Sequence, residues 1–159
     1  MIDPAGNARS LMSDLPLIDA TIGKGGTRTE IMDRVVALLQ ERVDSYTWVG
    51  VYLMDGDELV LGPFRGKPSP HTRIPLGSGI CGAAATQKET VIVADVNADP
   101  RYLACSIETR SEIVVPIMDG TTCLGEIDID SDQADVFGSA DQEFLEAVAA
   151  RLAPVLRPA

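Results

Sequence analysis

A chain of 159 residues, 45% hydrophobic and 23% charged, suits one globular domain, because a domain near this size buries roughly 70% of the surface its unfolded chain exposes. Its formal net charge of −11 repels phosphate backbones and anionic membrane surfaces, which argues against nucleic acid or a membrane as a partner. Met1 to Asn7 lacks a basic region followed by an apolar run, and no stretch reaches the roughly eighteen apolar residues of a membrane span, so a cytoplasmic location is expected. Cys81, Cys105 and Cys123 are odd in number. A structural disulfide framework is therefore not expected, and any disulfide would be transient and chemical.

Leu11, Leu15, Ile18 and Ile22 recur at helical spacing and predict an N-terminal helix that bends or restarts near Pro16 and ends at the glycines after Gly23. Thr27 and Glu30 have the spacing of a capping box, opening a second helix with the apolar stripe Ile31, Val35, Leu38, Leu39 and Val43. Tyr46 to Met54 and Glu58 to Phe64 read as strands joined by a hairpin at Asp55-Gly56. Arg65 to Thr72 reads as a loop, with a short strand near Thr72 to Ile74. Gly77-Ser78-Gly79 then turns into a short Ala-rich helix with Cys81 in its first turn. A strand over Thr90 to Ala94, a turn at Asn97 to Pro100, and a loop with a helical turn presenting Cys105 follow. Ser111 to Met118 and Thr122 to Ser131 form a second hairpin across Asp119-Gly120. The last helix is expected to start with Ser139 in a capping box with Gln142, its stripe being Leu145, Val148, Leu152 and Leu156. Helices at both ends of a run of antiparallel hairpins imply an α+β fold, with those helices on one face of the sheet. The loops between Arg65 and Arg110, which carry Cys81 and Cys105, are left to cover the other face.

The unusual stretch is Ala104 to Ser131. In Glu126-Ile127-Asp128-Ile129-Asp130, successive residues point to opposite faces of a strand, so the three carboxylates share one face and the isoleucines the other. Such a face belongs either to water or to a pocket. The same parity turns Cys123 away from the acids, towards the helices, where a cysteine acts as a small hydrophobe. Cys81 is open to two readings, a packed small residue or a thiolate promoted by the helix N-terminus. His71, the only histidine, either stands in solvent or lines the mouth of a pocket and promotes a nearby thiolate. One histidine with cysteines at these spacings makes no zinc pattern. Gly77-Ser78-Gly79 lacks the Lys and spacing of a phosphate loop.

Trp48-Val-Gly-Val-Tyr52, Leu61-Gly-Pro-Phe64 with Gly66-Lys-Pro68, Arg73-Ile-Pro75, Gly79-Ile-Cys81-Gly82, Ala104-Cys105, Arg110 to Pro116 and Gly125 to Ser131 occur in one order. Together they resemble the free methionine-(R)-sulfoxide reductases, single-domain GAF proteins. The resemblance implies one GAF domain over 1–159, with a helical extension at 1–26 and a core at 27–157. It also implies a central six-stranded antiparallel sheet, a loop-covered pocket opposite the terminal helices, and a homodimer through those helices. The implied activity is that of an oxidoreductase needing no metal or organic cofactor, acting on free methionine sulfoxide and recycled by thioredoxin.

In that family the residue matching Cys105 is the nucleophile, and a second thiol condenses with its sulfenic acid to a disulfide. Glu112, Asp128 and Asp130 match the family's acidic cluster. Acids crowded in one buried site keep a proton bound, which suits them to protonating the departing sulfoxide oxygen, and the same face can hold the substrate's ammonium. Trp48, with Tyr52, would wall the methyl-sulfur end. One position departs: His71 stands where the family has its loop cysteine. The resolving thiol is then Cys81, or a small thiol attacks directly. A non-catalytic ligand-binding module and a thiol redox switch are the alternative readings.

Overall fold

The structure, a computed structural model, describes residues 10–102 and 108–158. Cys105 and the helical turn expected around it lie outside those residues. After a 3-10 turn over Leu11–Asp14, α1 spans Leu15–Gly23, with Pro16 in its first turn where a missing N–H costs nothing. Helix α2 spans Arg28–Arg42. Its capping box is the expected one: Thr27 Oγ1 accepts from the Glu30 N–H at 3.1 Å while Glu30 Oε1 accepts from the Thr27 N–H at 3.4 Å.

Six strands follow: β1 (Trp48–Asp55), β2 (Glu58–Arg65), β3 (Arg73–Pro75), β4 (Val91–Val93), β5 (Ser111–Asp119) and β6 (Thr122–Ser131). Their spatial order is β3-β2-β1-β6-β5-β4, and every neighbouring pair is antiparallel. Both expected hairpins form, with Gly56 and Gly120 at positive φ (64° and 61°) in the turns. Helix α3 spans Gly79–Gln87, between β3 and β4, and α4 spans Ser139–Leu156. Helix α4 starts at Ser139 as expected, but the expected Ser139–Gln142 capping box does not form. Gly138, in extended backbone, is the cap, and its N–H donates to Asp141 Oδ2 at 3.0 Å; a glycine has no side chain to return the bond, so only half a box forms.

Two apolar clusters sandwich the sheet. Val49, Val51, Ile113, Val115, Ile127 and Ile129 point towards α1, α2 and α4, meeting Ile18, Val35, Phe144 and Leu152. On the other face Trp48, Tyr52 and Val114 meet Ile80, Cys81 and Ala84 of α3 and Val96 of the loop after β4. The helices and the covering loops thus take opposite faces, as the element order implied.

Cys123 is placed differently from the expectation. The β5/β6 register runs Ile117↔Gly125 and then Met118↔Cys123, so Leu124 is an extra residue in a bulge. The bulge inverts the alternation at that end of β6. Leu124 packs with the helices, and half-buried Cys123 packs against the α3 side of the sheet.

Candidate active site

Strand β6 lies in the middle of the sheet, and its alternation from Glu126 to Asp130 projects three acids towards α3. The register sets Trp48 beside Asp130, Gly50 beside Asp128 and Tyr52 beside Glu126 on one flank. On the other flank it sets Glu112 beside Asp130 and Val114 beside Asp128. This face is dry: Glu112 is 4% exposed, Glu126 0%, Asp128 1% and Asp130 2%. Of the two readings of the acidic strand, water and pocket, only the second fits.

Trp48 roofs this row because β1 has a glycine two residues on. A Cβ at Gly50 would stand 2.4 Å from the indole ring, which lies across that backbone. The indole Nε1 donates to the Lys67 carbonyl at 2.9 Å, and the ring stacks on Phe64 with centroids 5.8 Å apart. Tyr52 donates its hydroxyl to the His71 carbonyl at 2.8 Å, tying the Pro-rich loop to the sheet.

Two cavities open on this face. The larger, ≈ 240 Å³, is lined by Trp48, Asp130, Thr47, Ser69, Thr109 and Asp132, with Lys67 and Glu108 ion-paired at its rim. The smaller, ≈ 10 Å³, lies between Tyr52, His71, Gly79, Cys81, Glu112 and Asp128. The residues singled out from sequence therefore divide: Trp48 and Asp130 face the larger cavity, and Tyr52, His71, Cys81, Glu112 and Asp128 the smaller. The register pair Glu112↔Asp130 links the two. Cys105 lies outside the described residues, just before Glu108 and Thr109, which line the larger cavity.

Burial dominates the electrostatics. It raises the Asp128, Asp130 and Glu126 carboxyls above the usual carboxylate range, with the charge of Asp128 adding to the rise at Asp130 and Glu126. Hydrogen bonding with Glu112 acts the other way on Asp128 and Asp130. Two carboxyls share a hydrogen bond only when one carries a proton, so burial and mutual contact both favour retention of a proton in the cluster. The Cys81 thiol donates to Asp128 Oδ2 at 3.4 Å. A thiol has one proton to give, and both oxygens of nearby Glu126 remain without a hydrogen-bond partner among the described residues.

Burial, and then the charges of Asp128, Glu126 and Glu112, push the Cys81 thiol well above its ordinary value. The helix N-terminus does not make it a ready thiolate, contrary to one of the two sequence readings, because the desolvation and three facing acids outweigh a partial helix charge. Three contributors are not singled out by the sequence reading. Glu126 shares the acidic face by simple alternation, yet was left out of the candidate site. Lys67 and Glu108 sit in loops, where no periodicity marks a side chain as facing a cavity.

Comparison with known proteins agrees with this architecture. The GAF domain family matches residues 27–156. The chain is 39% identical over 120 residues to the free methionine-R-sulfoxide reductase of Escherichia coli (strain K12), covering 76% of this chain and 72% of that protein. It is 50% identical over 107 residues to the enzyme of the same name from Saccharomyces cerevisiae, covering 64% of this chain and 58% of the yeast protein. The X-ray structure of the free methionine-R-sulfoxide reductase of Neisseria meningitidis, in complex with its substrate, superposes with a TM-score of 0.88 at 36% identity, covering 94% of this chain and 92% of that one. With the acidic central strand, the α3-covered pocket and this breadth of similarity together, the chain belongs to the GAF-domain family of the free methionine-R-sulfoxide reductases.

Proposed function

We propose that this protein is an oxidoreductase that reduces free L-methionine-(R)-sulfoxide to methionine. The observation that carries the reading is the buried acidic row Glu112, Asp128 and Asp130 beside a pocket roofed by Trp48. At ≈ 240 Å³ that pocket lies below the roughly 300–1,000 Å³ usual for ligand sites, which suits one amino acid better than a peptide. Trp48 takes the methyl-sulfur end, and the carboxylate edge takes the ammonium.

The Cys105 sulfur attacks the sulfoxide sulfur while an acid of the cluster protonates the oxygen. The oxygen then passes from the substrate sulfur to the Cys105 sulfur as the transient sulfur–sulfur bond breaks, so that methionine leaves and Cys105 becomes a sulfenic acid. Cys81 then attacks that sulfenic sulfur, forming a disulfide and releasing water. Its thiol proton passes along the existing hydrogen bond to Asp128, which the high thiol pKa makes necessary. Two electrons from an external dithiol, thioredoxin, restore both thiols. The family resemblance supports a homodimer through the terminal helices as the working form.

The test is a thioredoxin-coupled assay on the two separated sulfoxide epimers of free methionine. Turnover is expected for the R epimer and not for the S. No turnover of the R epimer by folded protein would sink the reading. Cys105→Ser is expected to abolish turnover. Cys81→Ser is expected to allow one stoichiometric reduction and then recycle slowly; full thioredoxin-dependent turnover by that variant would assign resolution to another thiol.

A further inference from the structure

The smaller cavity holds a donor set that proton donation and disulfide formation do not exhaust. Cys81 Sγ, a Glu112 carboxylate oxygen and an Asp128 carboxylate oxygen all lie within 4.8 Å of one another. They border a space of ≈ 10 Å³, about one water-sized sphere. Asp128 lines that space at 1% exposure, and its Oδ1 has no hydrogen-bond partner among the described residues. A tetrahedral ion with a metal–sulfur bond of about 2.3 Å and a metal–oxygen bond of about 2.1 Å sets its sulfur and oxygen ligands about 3.6 Å apart. The observed separation of Cys81 Sγ from Asp128 Oδ2 is 3.4 Å.

We propose that Cys81, Glu112 and Asp128 bind one zinc-type divalent cation, and that the bound ion reversibly silences the reductase. The sulfur ligand selects a borderline-soft ion over magnesium or calcium, which favour all-oxygen sites. Binding replaces the Cys81 thiol proton and the proton shared by the acids, which leave to solvent as the metal–ligand bonds form; nothing is oxidised or reduced. A dication among these carboxylates offsets their mutual repulsion. His71 borders the cavity without joining the group of three, so the fourth position falls to water. The ligands come from three separate elements, α3, β5 and β6, and so leave no zinc-like spacing in the sequence. Silencing follows from overlap: the ion holds the oxygens that would carry the catalytic proton and the thiol that would resolve Cys105. This last step rests on the proposed function, whereas the binding site does not.

Titration of the reduced, metal-free protein with Co²⁺ tests the site directly, through the near-ultraviolet sulfur-to-cobalt charge-transfer band, with Zn²⁺ as competitor. A band saturating at one equivalent and removed by Zn²⁺ is expected. Cys81→Ser should lose the band, Asp128→Asn should weaken cobalt affinity at least about tenfold, and Cys123→Ser should keep both. No band from folded wild type, or a band that survives Cys81→Ser, overturns the site; circular dichroism verifies the fold of each variant. Single-turnover methionine release, run without thioredoxin because its own thiols bind zinc, tests the silencing. Release should stop at one equivalent of Zn²⁺ and return with a chelator, and unchanged release by zinc-loaded protein overturns that part.

Discussion

Glu126 shows most directly what it means to bury an acid. Its carboxylate oxygens are enclosed and unpartnered among the described residues, and burial holds its proton well above the usual carboxylate range. The unfolded chain releases that proton at about pH 4.3. The stabilisation linked to this proton is thus fully present below that pH and is lost as pH rises towards the folded-state value. Glu126→Gln, neutral at every pH, should be more stable than wild type at pH 7, with the gap narrowing as pH falls to about 4. Urea melts across that range measure it, and a gap independent of pH would show that the folded acid carries no extra proton. Asp128→Asn should lower kcat/KM for the R epimer by about 10²- to 10⁴-fold, the range for loss of a positioned acid. Much of this residue-scale chemistry was legible. Strand alternation alone grouped Glu126, Asp128 and Asp130. The state of Cys81 was not legible, because its three facing acids lie more than thirty residues away in sequence and only the folded sheet brings them close.

At the scale of the element, local signals carried well and cross-strand ones did not. The Thr27–Glu30 box and the two glycine turns depend on residues within a few positions, and the structure has all three. The bulge at Leu124 is fixed by the partner strands, so the alternation rule misplaced Cys123 while placing Asp128 correctly a few residues on. Two strand glycines stand where a side chain has no room. A Cβ at Gly125 would stand 2.3 Å from the Tyr52 carbonyl oxygen, a backbone atom that cannot step aside. Gly125→Ala should cost about 2 kcal/mol or more in chemical denaturation. At Gly50 the obstacle is the Trp48 ring, so Gly50→Ala should act mainly by displacing that ring, raising KM more than it lowers stability.

For the whole molecule, the order of elements was enough to give an α+β sheet with helices on one side, because hairpins force antiparallel neighbours and terminal helices must bury their stripes together. The two-cavity division was hidden, since it depends on how the Pro-rich loop docks through Tyr52 and His71. The N-terminal segment, read as an extension before a core at residue 27, contributes Leu15 and Ile18 to the helix-side cluster, and buried Asp14 pairs with Arg42 of α2 at 3.0 Å. Removing residues 1–26 should therefore lower stability by about 3 kcal/mol or more, the scale of losing large buried side chains, and leave Arg42 without that carboxylate. Thermal and urea denaturation of the shortened chain measures this; an unchanged midpoint would show the segment to be dispensable.

The central position of β6 has a consequence for how the reaction meets its solvent. A strand paired on both sides cannot shift to let water in, so its acids lose their hydration shells when the chain folds and not when a ligand arrives. Under the proposed mechanism, an incoming sulfoxide oxygen meets acids that are already oriented and already enclosed. Little reorganisation of water remains between encounter and proton transfer.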